Sequence, residues 1–481
     1  MVDKMQLFSL FCLRATNNID KVAIIFNSKK ITFGKLLQDV YAVRLKLRKY
    51  GICNGKTIGI YMEKKPDYIK TILALLGMGV NIVPLSLYYT MEEIESICEK
   101  VQINYVITSN KMNVSCHTIQ YKQLADVELL EQYEFHGDST LFLLTSGSTG
   151  IPKVSIIPEK TLLRRTEAEF VQFSLSSDDI FCINTPLYHC VGFRMMLTAL
   201  TKGVTIVLNG NFVPKQWIEI VKMWEPTYTI LSPNQIVDLV GFAKDDVQQF
   251  KESIASLRII ISTGAKLKRV IKEDFLSLIN CNFYDVIGSS ETEFIAINKC
   301  QVNQSDKLVG KPFDNVEIVI SPFGANENGV GEILCRSDML FDGYWGDNKQ
   351  TEKSMVNGFF KTGDMGYFDN GELYLVGRVK RIIICSGVNI YPEDIEKAVL
   401  EDERITDCYV FGVNNDRCGE VVAIIVAGNG ITKDDVKRIC LEKVAIYQQP
   451  RMVYVVDKIP RNEMGKVPID IIDNMISIGE T

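Results

Sequence analysis

Apolar positions in the first half of the chain follow two alternating rhythms. Phe33, Leu36, Leu37, Val40 and Leu47 recur at helical spacing behind Thr32, a residue type that caps helix N-termini, and Gly51 stops the run. Short continuous apolar runs predict strands at 57–61, 80–83, 105–108, 141–144, 180–184, 205–208, 227–231 and 258–262, with helical segments such as 66–77 between several of them. Strands that alternate with helices argue for an α/β fold of parallel-rich sheets with crossover helices. The longest apolar stretch, 68–87, carries Lys70, Asn81 and Pro84. A membrane span of about 20 residues would be cleaner, so the stretch predicts a buried helix and a buried strand, and no membrane span is expected.

The rhythm changes after about residue 310. Strands are expected at 315–321 and 331–336 beside Gly- and Asn-rich turns, as in a small β-rich unit. A helix led by Pro392 over 392–400, strands at 408–413 and 421–426, a helix at 433–444 and a strand at 452–456 then predict a small α+β module. The expected division is an N-terminal domain over 1–378 and a C-terminal domain over 379–481.

Composition narrows the function classes. The chain has 481 residues, too many for one ordinary domain, and a net charge of −6. It lacks the clustered basic excess of a nucleic-acid binder, so no nucleic-acid partner is expected. Thirteen cysteines without a CxxC, and only three histidines (His117, His136 and His189), argue against a zinc site. They suit reduced thiols in a cytoplasm, where disulfides are rare. The apolar N-terminal run has no small-residue cleavage site and is expected to be a first helix rather than a signal peptide.

The sharpest chemical signal is the run Leu143-Leu144-Thr145-Ser146-Gly147-Ser148-Thr149-Gly150-Ile151-Pro152-Lys153. An apolar strand enters a loop of hydroxyls and glycines and leaves it on a lysine. Glycines let backbone N–H groups approach an anion, the hydroxyls add donors, and Lys153 adds charge, which together suit a triphosphate. The spacing is not that of a Walker A loop, since Gly147 and Gly150 are three apart and the lysine follows a proline.

This run resembles the phosphate loop of the adenylate-forming superfamily of acyl-CoA synthetases, peptide-synthetase adenylation domains and luciferases. Further segments resemble that family's motifs in the same order: Ile287-Gly288-Ser289-Ser290-Glu291, Lys361-Thr362-Gly363-Asp364, Gly377-Arg378-Val379-Lys380, and Pro460-Arg461-Asn462-Glu463-Met464-Gly465-Lys466. The resemblance implies an ATP-dependent ligase that forms an acyl-adenylate, releases pyrophosphate and passes the acyl group to a thiol. It implies that Thr145, Ser146, Gly147, Ser148, Thr149, Gly150 and Lys153 hold phosphates and that Glu291 binds Mg2+. Ser290 would contact phosphate. Gly264, Ala265 and Ile287 would line the adenine pocket, and Asp364 and Arg378 would take the ribose. Lys380 matches the hinge, and Lys466 matches the catalytic lysine that bridges carboxylate and α-phosphate. Ile287 departs from the family's aromatic residue and forgoes a stacking contribution of about 0.5–1.5 kcal/mol.

Thr185-Pro186-Leu187-Tyr188-His189 resembles the family's segment near the acyl carboxylate, with His189 as the contact. The aspartate by which amino-acid-activating members bind an ammonium is absent there, so a fatty, aryl or other non-amino acid is expected. Coenzyme A is the expected acceptor, with the phosphopantetheine arm of a separate acyl carrier protein as the alternative. A phosphotransferase making ADP is opposed by the loop spacing, and a non-catalytic relative by the presence of Glu291 and Lys466.

Overall fold

A computed structural model describes residues 6–124, 137–145, 152–321, 329–385, 388–415, 419–461 and 467. The chain forms two compact units, one of residues 1–304, 312–317 and 336–360, the other of 305–311, 318–335 and 361–481. The position after 378, where the sequence divides the chain, lies inside the second unit. Among the described residues no helix is long and apolar enough to cross a membrane.

The first unit holds two sheets. In the first, the strands run in the spatial order Lys29–Thr32, Val22–Phe26, Thr205–Leu208, Ile180–Ile183, Tyr228–Leu231, Ile259–Ser262, Asn282–Ser289 and Glu293–Lys299. All neighbours from Val22–Phe26 to Asn282–Ser289 are parallel, and the strands at the two ends pair antiparallel. Helices cover parallel sheets on both faces, which is why Thr205–Leu208, Tyr228–Leu231 and Ile259–Ser262 are buried at every position. The second sheet runs Gly343–Tyr344, Lys153–Pro158, Thr140–Thr145, Asn81–Pro84, Thr57–Tyr61, Tyr105–Thr108 and His117–Gln120. It is parallel from Thr140–Thr145 onward.

Each sheet has a point where its winding reverses. Ile180–Ile183 leads through helix Cys190–Lys202 to Thr205–Leu208 on one side. Its other neighbour, Tyr228–Leu231, leads through two helices to Ile259–Ser262 on the opposite side. Ligands of open α/β sheets bind outside the strand C-termini at such points. Asn184, one residue past its strand, donates to Thr229 Oγ1 at 2.8 Å and closes this reversal. In the second sheet the reversal falls between Thr57–Tyr61 and Tyr105–Thr108. Lys64, just beyond the first of these, reaches Asn184 O with its ammonium at 2.6 Å, so the two reversals meet.

The second unit contains the β-rich pairing Phe359–Asp369 with Glu372–Arg378 and, beyond it, a sheet around the long hairpin Ile405–Asn415 and Gly419–Gly428. Helices Pro392–Val399 and Lys433–Lys443 lie on that sheet through Ile395, Val399, Val436 and Ile439. Arg381 fastens the first of these helices, donating to Glu393 Oε1 at 2.9 Å, Glu396 Oε1 at 2.5 Å and Val410 O at 2.9 Å.

Strands expected at 57–61, 105–108, 205–208, 331–336 and 452–456 occur at those bounds. The strand expected at 408–413 is longer, Ile405–Asn415, because the facing strand pairs with it along its whole length. The first helix is Leu7–Asn17, and the apolar stretch after residue 68 is a buried helix and strand.

Candidate active site

Thr145 and Lys153 face each other at the loop end of an antiparallel hairpin, Thr140–Thr145 with Lys153–Pro158. Thr145 Oγ1 lies 3.5 Å from Lys153 O. The glycine-rich residues Ser146, Gly147, Ser148, Thr149 and Gly150 lie outside the described residues, as does Lys466. Beneath the hairpin, Phe142 and Val154 are buried with Ile94, Ile97 and Val101, and the ring of Phe142 meets Trp345 at 4.8 Å. Burying one such phenylalanine is worth about 1.5–3 kcal/mol, so the loop springs from a rigid base.

Glu291 occupies the turn between Asn282–Ser289 and Glu293–Lys299, beside Ser290. The motif's glycine has a steric cause here. The pairing shifts register at Ile287/Gly288, and a Cβ on Gly288 would stand 2.0 Å from Glu293 O. Ile287, on the same strand, is half-buried. Gly264 and Ala265 follow strand Ile259–Ser262, Gly264 with a left-handed φ of +97°. Thr263 donates to Val286 O at 2.8 Å and holds that loop beside Ile287.

Residues that sequence reasoning missed tie these parts together. The short strand Gly343–Tyr344 pairs with Lys153–Pro158. From it, the Tyr344 hydroxyl donates to Glu291 Oε1 at 3.0 Å, and the Lys153 ammonium stands 4.9 Å from the centre of the Tyr344 ring. Burial and the adjacent Glu291 carboxylate push the Tyr344 hydroxyl well up, so it stays a donor. Phe341 N donates to Glu291 O at 2.8 Å. No periodicity marked Tyr344; the one cue was its place in the glycine-flanked run Gly343-Tyr344-Trp345-Gly346.

His189 is the N-cap of helix Cys190–Lys202, with its ring 4.6 Å from that of Tyr188. Gly192 lets this helix start against its own lead-in, since a Cβ there would meet Pro186 O at 2.3 Å. Cys190 donates to Glu293 Oε2 at 3.3 Å. Burial and Glu293 push this thiol up, so it is a hydrogen-bond donor and not a nucleophile.

Behind these residues lies a buried charge quartet. Arg165 is 1% exposed, Arg194 2%, Glu169 1% and Glu293 3%. Arg194 pairs with Glu169 and, at 2.7 Å, with Glu293. Arg165 stands 3.6 Å from Glu293. Thr198 and Tyr228 donate to Glu169 at 2.7 and 2.6 Å. Two charges of each sign balance within one desolvated cluster, the condition under which buried ions are tolerated. Glu293 adopts a left-handed φ of +62°, a strain of order 1–3 kcal/mol, and these contacts hold it.

In the second unit Asp364 and Arg378 face each other across Phe359–Asp369 and Glu372–Arg378, with Arg378 Nε 2.8 Å from Asp364 Oδ1. Gly363 is left-handed at +73°, and its N–H reaches Glu332 Oε1 at 3.2 Å, which shapes the turn before Asp364. Lys380 lies in the short helical turn Val379–Arg381 that follows Arg378.

Among the described residues there is no group of three or more His, Cys, Asp or Glu able to hold a metal by protein ligands alone. A single carboxylate such as Glu291 suits Mg2+, which keeps waters and substrate phosphates in its shell.

The family described as AMP-binding enzyme matches residues 12–345, and the AMP-binding enzyme C-terminal domain matches 394–466. A 2-succinylbenzoate–CoA ligase of Bacillus licheniformis is 26% identical over 474 residues, covering 94% of this chain and 97% of the relative. An indoleacetate–CoA ligase of Aromatoleum aromaticum is 26% identical over 494 residues, covering 95% of each. The solved o-succinylbenzoate CoA synthetase of Bacillus subtilis, in complex with its acyl-adenylate intermediate, shares the fold with a TM-score of 0.87 at 22% identity, over 97% of this chain and 98% of that one.

Proposed function

This chain belongs to the AMP-binding enzyme family, and from that premise we propose that it activates a non-amino carboxylic acid with ATP and transfers the acyl group to coenzyme A. The observation that carries the reading is the grouping of Lys153, Tyr344 and Glu291 at the mouth of the Thr145–Lys153 hairpin. It sets a cation and a hard oxygen donor beside a loop rich in N–H and hydroxyl donors. Full-length likeness to acid–CoA ligases supports the acceptor and the acid class.

In the reaction the acid's carboxylate oxygen attacks the α-phosphorus of ATP, and the α,β-bridging bond breaks to release pyrophosphate. The nucleophile arrives with the substrate, so the protein's part is orientation and charge neutralisation. Lys153 and the hairpin loop bind the departing phosphates. Glu291, steadied by Tyr344, is the ligand for Mg2+, which supplies neutralisation of phosphate charge when bound. His189, at a helix N-terminus that favours negative charge, holds the acid's carboxylate. Asp364 accepts the ribose hydroxyls with Arg378 beside it. Lys466 bridges carboxylate and α-phosphate, a contact worth about 10²–10³ in rate. Rotation of a C-terminal domain of 379–481 about Lys380 belongs to this proposal, as does a cytoplasmic location.

The test is ATP–pyrophosphate exchange across aryl, short-chain, long-chain and amino acids, with Lys466→Ala alongside, followed by offering the active acids CoA or a holo carrier protein. Acid-dependent exchange that collapses in Lys466→Ala, with thioester formed on CoA, is the expected result. ADP formation without exchange would overturn adenylation, and transfer to a carrier alone would overturn the acceptor.

A further inference from the structure

The guanidinium of Arg165 has no part in the chemistry above, yet it touches every segment around it. It extends from helix Glu159–Gln172 into the interior and is 1% exposed. Nη2 donates to Glu291 O at 3.2 Å, Nε donates to Met339 O at 3.0 Å, and Nη1 approaches Cys190 Sγ at 3.7 Å and Glu293 Oε2 at 3.6 Å. These partners lie 126, 174, 25 and 128 residues away along the chain. They belong to the turn that carries Glu291, the segment that leads to Tyr344, and the start of the helix that His189 caps.

Stability alone is a weak reason for such a residue. A buried ion cluster replaced by apolar side chains of similar volume is often neutral or stabilising, while its fixed geometry can specify one arrangement over others. The geometry specified here is that of Glu291. Its carbonyl oxygen receives both Arg165 Nη2 and Phe341 N, and its carboxylate receives the Tyr344 hydroxyl. The residue is therefore held by backbone and side chain at once. One carboxylate oxygen, Oε1, takes the phenol, and among the described residues no donor takes Oε2, the oxygen offered to a cation. Arg165 and Phe341 grip the same carbonyl, and Phe341 precedes Tyr344 by three residues, so both grips act on one rigid piece.

We infer that Arg165 is a positioning residue that sets Glu291 for the metal–phosphate complex and couples it to the acid-binding segment at Cys190. The coupling follows from planarity. The guanidinium is one rigid fork, so a shift of the Cys190 end on acid binding moves the Nη2 that holds Glu291. Acid and Mg2+ then assist each other's binding, and by linkage the assistance is reciprocal. This inference rests on the reading of Glu291 as the metal ligand.

The experiment measures the Mg2+ concentration for half-maximal acid-dependent exchange, at low and at saturating acid, in wild type, Arg165→Lys, Glu293→Gln and Glu291→Gln, with thermal midpoints for all four. Loss of an outer partner of a metal ligand typically weakens metal affinity about 10–100-fold. Arg165→Lys, which keeps the charge but loses the fork, is expected to raise the Mg2+ requirement on that order. It should also abolish the difference between low and saturating acid. Glu293→Gln, which frees one side of Arg165 and leaves Glu291 untouched, is expected to move both quantities the same way by a smaller factor, and it serves if Arg165→Lys does not fold. A lowered midpoint with an unchanged Mg2+ requirement in these variants would overturn the proposal and leave Arg165 a packing residue. An unchanged requirement in Glu291→Gln would overturn the ligand assignment itself, a different failure that leaves adenylation standing.

Discussion

Tyr344 donates its hydroxyl to Glu291 at 3.0 Å while presenting its ring to Lys153 at 4.9 Å, so one side chain spans from the hairpin cation to the expected metal ligand. The two roles separate by mutation. Tyr344→Phe keeps the ring and removes only the hydrogen bond, a charge-assisted one worth about 1.5–3 kcal/mol. The expected outcome is a several-fold rise in the Mg2+ requirement for exchange with the KM for the acid unchanged. Tyr344→Ala also removes the surface under Lys153 and should raise the KM for ATP. Steady-state titrations of metal, ATP and acid distinguish the two.

Asp364 and Arg378 form a pair whose arginine side chain is about half exposed, and such pairs contribute about 0–1 kcal/mol to stability. Asp364→Asn is therefore expected to leave the melting temperature within a few degrees of wild type. As the ribose acceptor, Asp364 should instead raise the KM for ATP about tenfold or more when changed. Calorimetry beside ATP titration checks this. A fall in melting temperature with an unaltered KM would make it a turn residue only.

Cys98 and Cys116 lie 3.3 Å apart, sulfur to sulfur, near the base of the glycine-rich hairpin. The hydrogen bond between Cys98 and Cys116 brings the Cys116 thiol down to about 7, against burial, which opposes the shift. The thiolate is the reactive form, so alkylation of Cys116 should rise through pH 7 and level off above it. In Cys98→Ala that hydrogen bond is gone, and the same profile should move up by more than one pH unit. Peptide mapping after timed iodoacetamide labelling reads both profiles. Cys190, pushed up by burial, should not label in the folded protein.

Glu159 fixes the first helix by accepting Leu7 N at 2.7 Å and Ser139 N at 2.8 Å. Burial nevertheless raises its carboxyl from an ordinary 4.5 to about 7, since the low dielectric disfavours the charged form more than the two donors favour it. Between pH 4.5 and 7 the unfolded chain has released this proton and the folded chain has kept it. Stability from this group therefore falls as pH rises through that window, by roughly 3 kcal/mol at its upper end, and is level above it. The difference in unfolding free energy between wild type and Glu159→Gln, measured from pH 5 to 8, should show that slope. A flat difference would mean that the N–H donors outweigh burial.

Much of this was legible in one dimension. Thr32 accepts Lys35 N as the expected cap, Gly77 ends the helix begun by Pro66, and the apolar runs became parallel strands, because period and capping are local properties that the backbone reads within a few residues. The strand that enters the glycine-rich run was likewise marked by local composition, whereas Asp364 and Arg378 were marked only by resemblance to the family's motifs, and neither the returning strand Lys153–Pro158 nor the pairing of Asp364 with Arg378 was foreseen. What could not be read is how the site is held. Helix Glu159–Gln172 buries Glu159, Arg165 and Glu169 together with Leu162 and Leu163, so its charged residues do not mark the solvent face as periodicity assumes. A charge reads as exposed until its partner is known, and the partners here, Arg165 with Glu293 and Arg194 with Glu293, are 128 and 99 residues apart. The sequence by itself determined many of the strands and helices of the two α/β sheets, the family and the residues offered for chemistry, but not strands such as Asn282–Ser289 and Glu293–Lys299 that frame Glu291. Only the tertiary structure decided which buried charges neutralise one another and which side chains grip Glu291, because the cost of desolvating an ion is met by neighbours that chain order does not bring together.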